Sequence, residues 1–158
     1  MSALQRGLLV GVIQVALMAA VLGTLSDFRG YRMKLFIPFW LLGVAATGGL
    51  VLAGSDTWVF ALVLYIFTFV GFSGANIFYD ASLPDVTTPA RMDMVSSMGF
   101  GYGYIGGSTI PFLISLGVIA AITGMNLSGG LPSAGVKFSF AVTAAWWLVF
   151  TFPFLRNV

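Results

Sequence analysis

The residues best suited to chemistry in this chain are five aspartates, and neither cysteine nor histidine accompanies them. Disulfides, thiolate metal sites and catalysis by cysteine or histidine are therefore excluded. Asn76, Tyr79 and Asp80 recur at i, i+3 and i+4, so on a helix they share one face. Acid–base catalysis would need a second aspartate facing Asp80 in a wet cavity, and no apolar segment supplies one. We predict no enzyme activity, no metal site and no cofactor.

Two interpretations of this polar face stay open. It lines a vestibule, or the helix ends there and its polar groups reach headgroups and water. Gln14, Tyr65 and Thr109 are further cavity candidates because polar side chains are sparse within the apolar segments, although each could instead be a satisfied packing residue. A charge at the centre of a span costs about 3 kcal/mol and would mark an ion path. No segment carries one, so no proton-coupling residue is predicted.

The elements that must position these residues are hydrophobic helices. Apolar residues make up 59% of the 158-residue chain and charged residues 8%, whereas a soluble domain carries roughly 25% charged residues. A helix needs about 20 residues to cross the hydrocarbon layer. We therefore predict one all-α integral membrane domain, residues 1–158, with the lipid bilayer as a partner and no binding of nucleic acid. The five predicted spans are about 7–25, 35–53, 57–76, 97–123 and 136–154.

Loop composition sets the last boundary and the orientation. Met94 to Val136 is uncharged but too long for one span, and the glycine-rich stretch Gly124–Gly135 divides it. Most cations fall in loops on one side, with only Arg6 and Lys137 opposite. The positive-inside rule then places the N terminus outside and the C terminus in the cytoplasm, in a bacterial-type plasma membrane. The cations on the cytoplasmic side are Arg29, Arg32, Lys34, Arg91 and Arg156.

A polar segment between the first two spans is the sharpest local signal. Gly30 suits a tight turn, and Asp27 can pair with cations or cap a helix. On these residues alone, an ordinary basic turn remains the alternative to a cytoplasmic gate. The candidate gate motif consists of Gly23, Asp27, Arg29, Gly30, Arg32 and Lys34.

A glycine-rich helix start precedes the loop at Gly124. Gly99, Gly103, Gly106 and Gly107 allow another helix to approach closely, as small residues do in membranes. We predict a helix-packing surface here.

These motifs resemble a known family. The segment around Asp27 resembles the signature of the major facilitator superfamily between its second and third helices, although Phe28 and Tyr31 stand at usually basic positions. Asn76 to Pro84, followed by Gly99 to Gly107, resembles the vacuole-effluxer-like branch. The matching signature residues are Gly23, Leu25, Ser26, Asp27, Gly30, Arg32 and Lys34.

The resemblance implies that the spans correspond to helices 2–6 of the superfamily's first half, with the first helix missing. It implies part of a permease that moves a small-molecule solute by alternating access, with amino-acid efflux suggested by the branch. The partners would be the missing first helix and a second six-helix half, or another subunit. The alternative is a non-transporting subunit or truncated product that only packs against partner helices.

Overall fold

The computed structural model describes residues 22–25, 31–54, 56–126 and 128–157. Within these ranges the chain consists of helices and connecting turns, which confirms the predicted all-α fold. The helices are α1 (Arg32–Gly49), α2 (Trp58–Ala81), α3 (Leu83–Val86), α4 (Met92–Tyr102), α5 (Ile110–Thr123) and α6 (Ser133–Asn157).

Four helical segments of the described chain are long and apolar enough to cross a membrane. One of them, which we call the long helix, runs over Pro89–Thr123 and joins α4 to α5 through a π-helical segment, Gly103–Thr109. The others are Arg32–Leu52, Trp58–Ala81 and Ser133–Asn157. The chain is therefore a multi-pass membrane protein. The predicted span 7–25 lies outside the described residues except for 22–25, which are helical.

The helices extend beyond the predicted spans. α2 continues to Ala81, the long helix begins at Pro89, and α6 begins at Ser133. The sequence prediction followed apolar residues, whereas helical hydrogen bonding continues where the chain meets polar surroundings. The predicted loop is present, and α5 stops at Gly124, whose φ of 58° is the left-handed conformation typical after a helix end.

A close crossing of α1 and α2 forms the centre of the bundle. A Cβ atom added at Gly71 would lie 2.5 Å from Gly43 Cα and 2.7 Å from Phe39 O, so the two backbones approach with no room for a side chain. One turn along α2, a Cβ at Gly74 would lie 2.6 Å from Phe39 Cγ and closer still to Cδ1 of the same ring. In lipid, close approach of backbones supplies much of the association energy of helices. The buried cluster beside this crossing consists of Phe36, Trp40, Ala75 and Phe78.

The last helix, α6, packs across the α1–α2 pair. The Phe154 ring lies 5.0 Å from the ring of Phe36 on α1 and 5.0 Å from that of Tyr79 on α2. Trp147 fills the space beside Gly43, where an added Cβ would lie 2.6 Å from Trp147 Cζ3 and closer still to Cη2. These contacts bring the start of α1, the end of α2 and the end of α6 to one end of the bundle.

Most described cations collect at that end, which we call the basic end. Arg32 and Lys34 lie at the start of α1, Arg91 at the start of the long helix, and Arg156 at the end of α6. Lys137 lies near the start of α6, at the opposite end. The grouping inferred from the loops thus holds for the described residues. That this end faces the cytoplasm stays a prediction.

Candidate solute-path and gate residues

An ion pair at the basic end joins the start of α1 to the short helix α3. Arg32 Nη1 donates to Asp85 Oδ2 at 2.5 Å, which ties the start of α1 to α3. Pro84 lies in the first turn of α3, where a missing N–H has no cost, and it places Asp85 on this short turn. Asp85 was missed by the sequence analysis, although it directly follows the Leu83-Pro84 motif.

The strength of this ion pair suits a contact that can open. The Arg32 and Asp85 side chains are 17% and 35% exposed, so water screens part of their attraction. Pairs with such exposure contribute about 1 kcal/mol or less. The pair can therefore hold one arrangement of the basic end without locking it.

The other predicted gate residues divide into two groups. Lys34 Nζ lies 5.5 Å from the centroid of the Tyr31 ring, a cation–π contact at the start of α1. Gly23 lies in the helical stretch 22–25, and a Cβ added there would meet nothing within 4 Å. The predicted roles of Asp27, Arg29 and Gly30 lie outside the described residues.

Three of the predicted cavity residues share one face of α2. At 100° per residue, Tyr65, Asn76 and Asp80 fall within an arc of about 60°. All three side chains are exposed, Tyr65 at 60%. We call this set the polar stripe. Gly71 and Gly74, which pack against α1, lie on the opposite face, so the stripe points away from the helix crossing.

The remaining cavity candidates are placed differently. The Tyr79 ring is 48% exposed and contacts Phe154 of α6, at the edge of the same face of α2. The Thr109 hydroxyl donates to Tyr104 O at 2.9 Å, so its own helix satisfies it. Gln14 lies outside the described residues. Asn76, Tyr79 and Asp80 therefore share one face of α2, with Tyr79 at its edge towards α6.

The predicted glycine surface of the long helix is open. A Cβ atom added at Gly99, Gly103, Gly106 or Gly107 would meet nothing within 4 Å. Close helix contacts of the described chain occur instead at Gly43, Gly71 and Gly74 on α1 and α2 and at Gly135 on α6, glycines that the sequence analysis did not select. Packing of a further helix against Gly99–Gly107 stays a prediction.

Hydroxyl and indole groups supply polar contacts between helices that sequence reasoning also missed. Thr47 Oγ1 on α1 lies 3.4 Å from Thr68 Oγ1 on α2, beside the glycine crossing. Trp146 Nε1 on α6 donates to Gly106 O on the long helix at 2.9 Å. Spacing within one helix gives no signal for either contact, because each depends on how two helices pack.

Comparisons with known proteins indicate which class of multi-pass membrane protein this chain resembles. The family model described as "Vacuole effluxer Atg22 like" matches residues 7–91. A Bacillus subtilis (strain 168) protein, "Uncharacterized MFS-type transporter YxiO", is 45% identical over 144 residues, which cover 91% of this chain and 33% of the relative. No solved structure matches the chain significantly.

The chain belongs to the Atg22-like vacuole effluxer family, a branch of the major facilitator superfamily. The resemblance inferred from the motifs around Asp27 and Asn76 is thereby confirmed. The chain spans about a third of the length of the relative that it matches.

Proposed function

We propose that this chain forms one wall of the solute path in a transporter that exports a small polar solute, with amino acids as the first class to test. The polar stripe on α2 carries the proposal. Asn76 and Asp80 are exposed polar groups on a helix whose other face packs against α1. Lipid is a poor environment for a carboxylate and an amide, whereas a water-filled path between two halves satisfies both.

The spacing along α2 supports a path rather than a single site. Tyr65 and Asn76 lie about 16 Å apart along the helix, and Asp80 lies about 6 Å further, at 1.5 Å per residue. The stripe would thus run from about the middle of the bilayer to the basic end. A phenol, an amide and a carboxylate can hydrogen-bond the ammonium and carboxylate groups of a zwitterionic solute.

Family membership favours this function over that of a subunit that only packs against partners. Folds of this superfamily transport by rocking two halves about a site near the midplane. The remaining wall would come from a second half or another subunit.

Reconstitution tests the solute path. The chain, alone and together with the remaining part of the transporter, is placed in liposomes loaded with mixed amino acids, and efflux is measured by mass spectrometry. We expect efflux only from the complete assembly, and Asn76→Leu to reduce it at least tenfold. Val63→Ala changes an exposed residue of α2 outside the stripe and is the matched control. Equal efflux from Asn76→Leu and Val63→Ala would exclude the stripe from the path.

We further propose that the Arg32–Asp85 pair stabilises the closed state of the gate at the basic end. Asp85→Asn removes the charge and keeps the shape, so it should change the maximal transport rate and leave the solute concentration for half-maximal rate nearly unchanged. The exposed Asp93, in the first turn of α4, provides the control Asp93→Asn. A large loss of apparent affinity in Asp85→Asn alone would assign Asp85 to solute binding instead.

A further inference from the structure

The π-helical segment of the long helix leaves the Gly106 carbonyl without either of its two usual donors in its own helix. In this segment hydrogen bonds run from residue i+5 to residue i, and the Ile110 N–H accordingly donates to Ile105 O. The α-helical donor for Gly106 O would be that same N–H, which is already used. The π-helical donor would be residue 111, which is proline and has no N–H.

An unpaired carbonyl is costly at this position because hydrocarbon offers no water to replace the missing donor. Trp146 of α6 supplies one: its Nε1 lies 2.9 Å from Gly106 O. The indole is held in place by stacking on Phe150, with ring centroids 4.6 Å apart and an interplanar angle of 25°. Trp146 lies 40 residues from Gly106 in the sequence, so this hydrogen bond joins two helices and is not a local helix cap.

We propose that Trp146 is a positioning residue that replaces the hydrogen-bond donor removed by Pro111 and so stabilises the π-helical segment. Pro111 has no N–H to donate to Gly106 O, and Trp146 donates to this carbonyl from the neighbouring helix. The Thr109 hydroxyl adds a second local bond, to Tyr104 O five residues earlier.

The π-helical segment sets the rotation of α4 relative to α5 about the axis of the long helix. A π turn holds an extra residue, which rotates the helix before it by about 100° relative to the helix after it. Trp146 therefore fixes which way the α4 part of the long helix faces relative to α5. The open glycines begin on that part, so their direction depends on a residue of α6.

A double-mutant cycle tests the replacement. In the purified full chain in lipid nanodiscs, Trp146→Phe keeps an aromatic ring and removes the N–H. We expect it to lower the unfolding temperature by about 2 °C, the shift of a typical hydrogen bond between membrane helices in a chain of this size. In a Pro111→Ala background a backbone N–H is restored next to Gly106, so the same change should have almost no effect.

Trp147→Phe is the matched control, since Trp147 packs beside Gly43 and its effect should be equal in both backgrounds. The indole proton resonance provides a readout that packing alone does not move. The Trp146 signal, identified by its loss in Trp146→Phe, should show hydrogen bonding in the native chain and lose it in Pro111→Ala. A Trp146→Phe shift that is equal in both backgrounds, or absent from the native one, would overturn the proposal.

Discussion

Replacing Gly71 by alanine adds one methyl group at the tightest point of the bundle. The new Cβ would lie 2.5 Å from Gly43 Cα and 2.7 Å from Phe39 O, whereas carbon atoms in contact prefer about 3.5–4.0 Å. α1 and α2 would have to separate by about 1 Å. Overpacking of this kind costs about 1–3 kcal/mol, and the helix propensity of alanine returns about 1 kcal/mol. We therefore expect a net loss of up to about 2 kcal/mol relative to the native chain, and of about 1–3 kcal/mol relative to an alanine placed where the helix has room for it.

Thermal unfolding of the purified chain in detergent, followed by size-exclusion chromatography, measures this loss. For a chain of this size, a cost of about 1–3 kcal/mol corresponds to an apparent unfolding temperature about 3–9 °C below that of an alanine variant without overpacking. Gly101→Ala is the control, because a Cβ there meets nothing within 4 Å and only helix propensity changes. If Gly71→Ala unfolds at the same temperature as Gly101→Ala, the two backbones do not approach as closely as described, and the proposed centre of the bundle is wrong.

Two further predictions concern orientation and the open glycines. Because most cations lie at the basic end, a cysteine at Tyr31 should react with a membrane-impermeant probe only after cells are opened, and one at Asp56 should react in intact cells; the reverse pattern would invert the topology. Leucine at both Gly103 and Gly107 should block a partner helix and abolish transport or assembly in the complete transporter, while leucine at Ile110 should have little effect. Equal activity of the two variants would show that no helix packs on that surface.

The membrane fold was predictable because the constraint behind it is simple. Hydrocarbon requires long apolar helices with internally satisfied backbones, and such helices are visible in composition alone. The family was predictable from the residues around Asp27 and from Asn76 to Pro84, since both motifs are short, polar and placed between spans. The ends of the helices were harder to predict, because helical structure continues through polar residues, as it does at Asn76 and Asp80 on the way to Ala81.

The contacts between helices could not be read in the same way. Gly71, Gly74, Gly103 and Gly107 are all glycines within apolar helices. Sequence spacing alone does not show which of them contact a neighbouring helix. The ion pair of Asp85 could not be predicted either, because its partner Arg32 is distant in the sequence and lies beside it only in the folded chain. Polar residues within one helix were better predicted, since Asn76 and Asp80 share a face by helical geometry whatever surrounds them.

The glycine crossing of α1 and α2 also bears on how the protein is inserted into the membrane during synthesis. Only residues 53–57 separate the two transmembrane segments, and their complementary surfaces are complete once α2 has been made. The hairpin can therefore assemble while the rest of the chain is still on the ribosome. The contacts between the long helix and α6 can form only after α6 has been made. They are the hydrogen bond from Trp146 to the π-helical segment and the packing of Ile119 against Gly135. The order of helices along the chain therefore sets the order in which these contacts can form. The contacts between α1 and α2 can form first, and those between the long helix and α6 can form later.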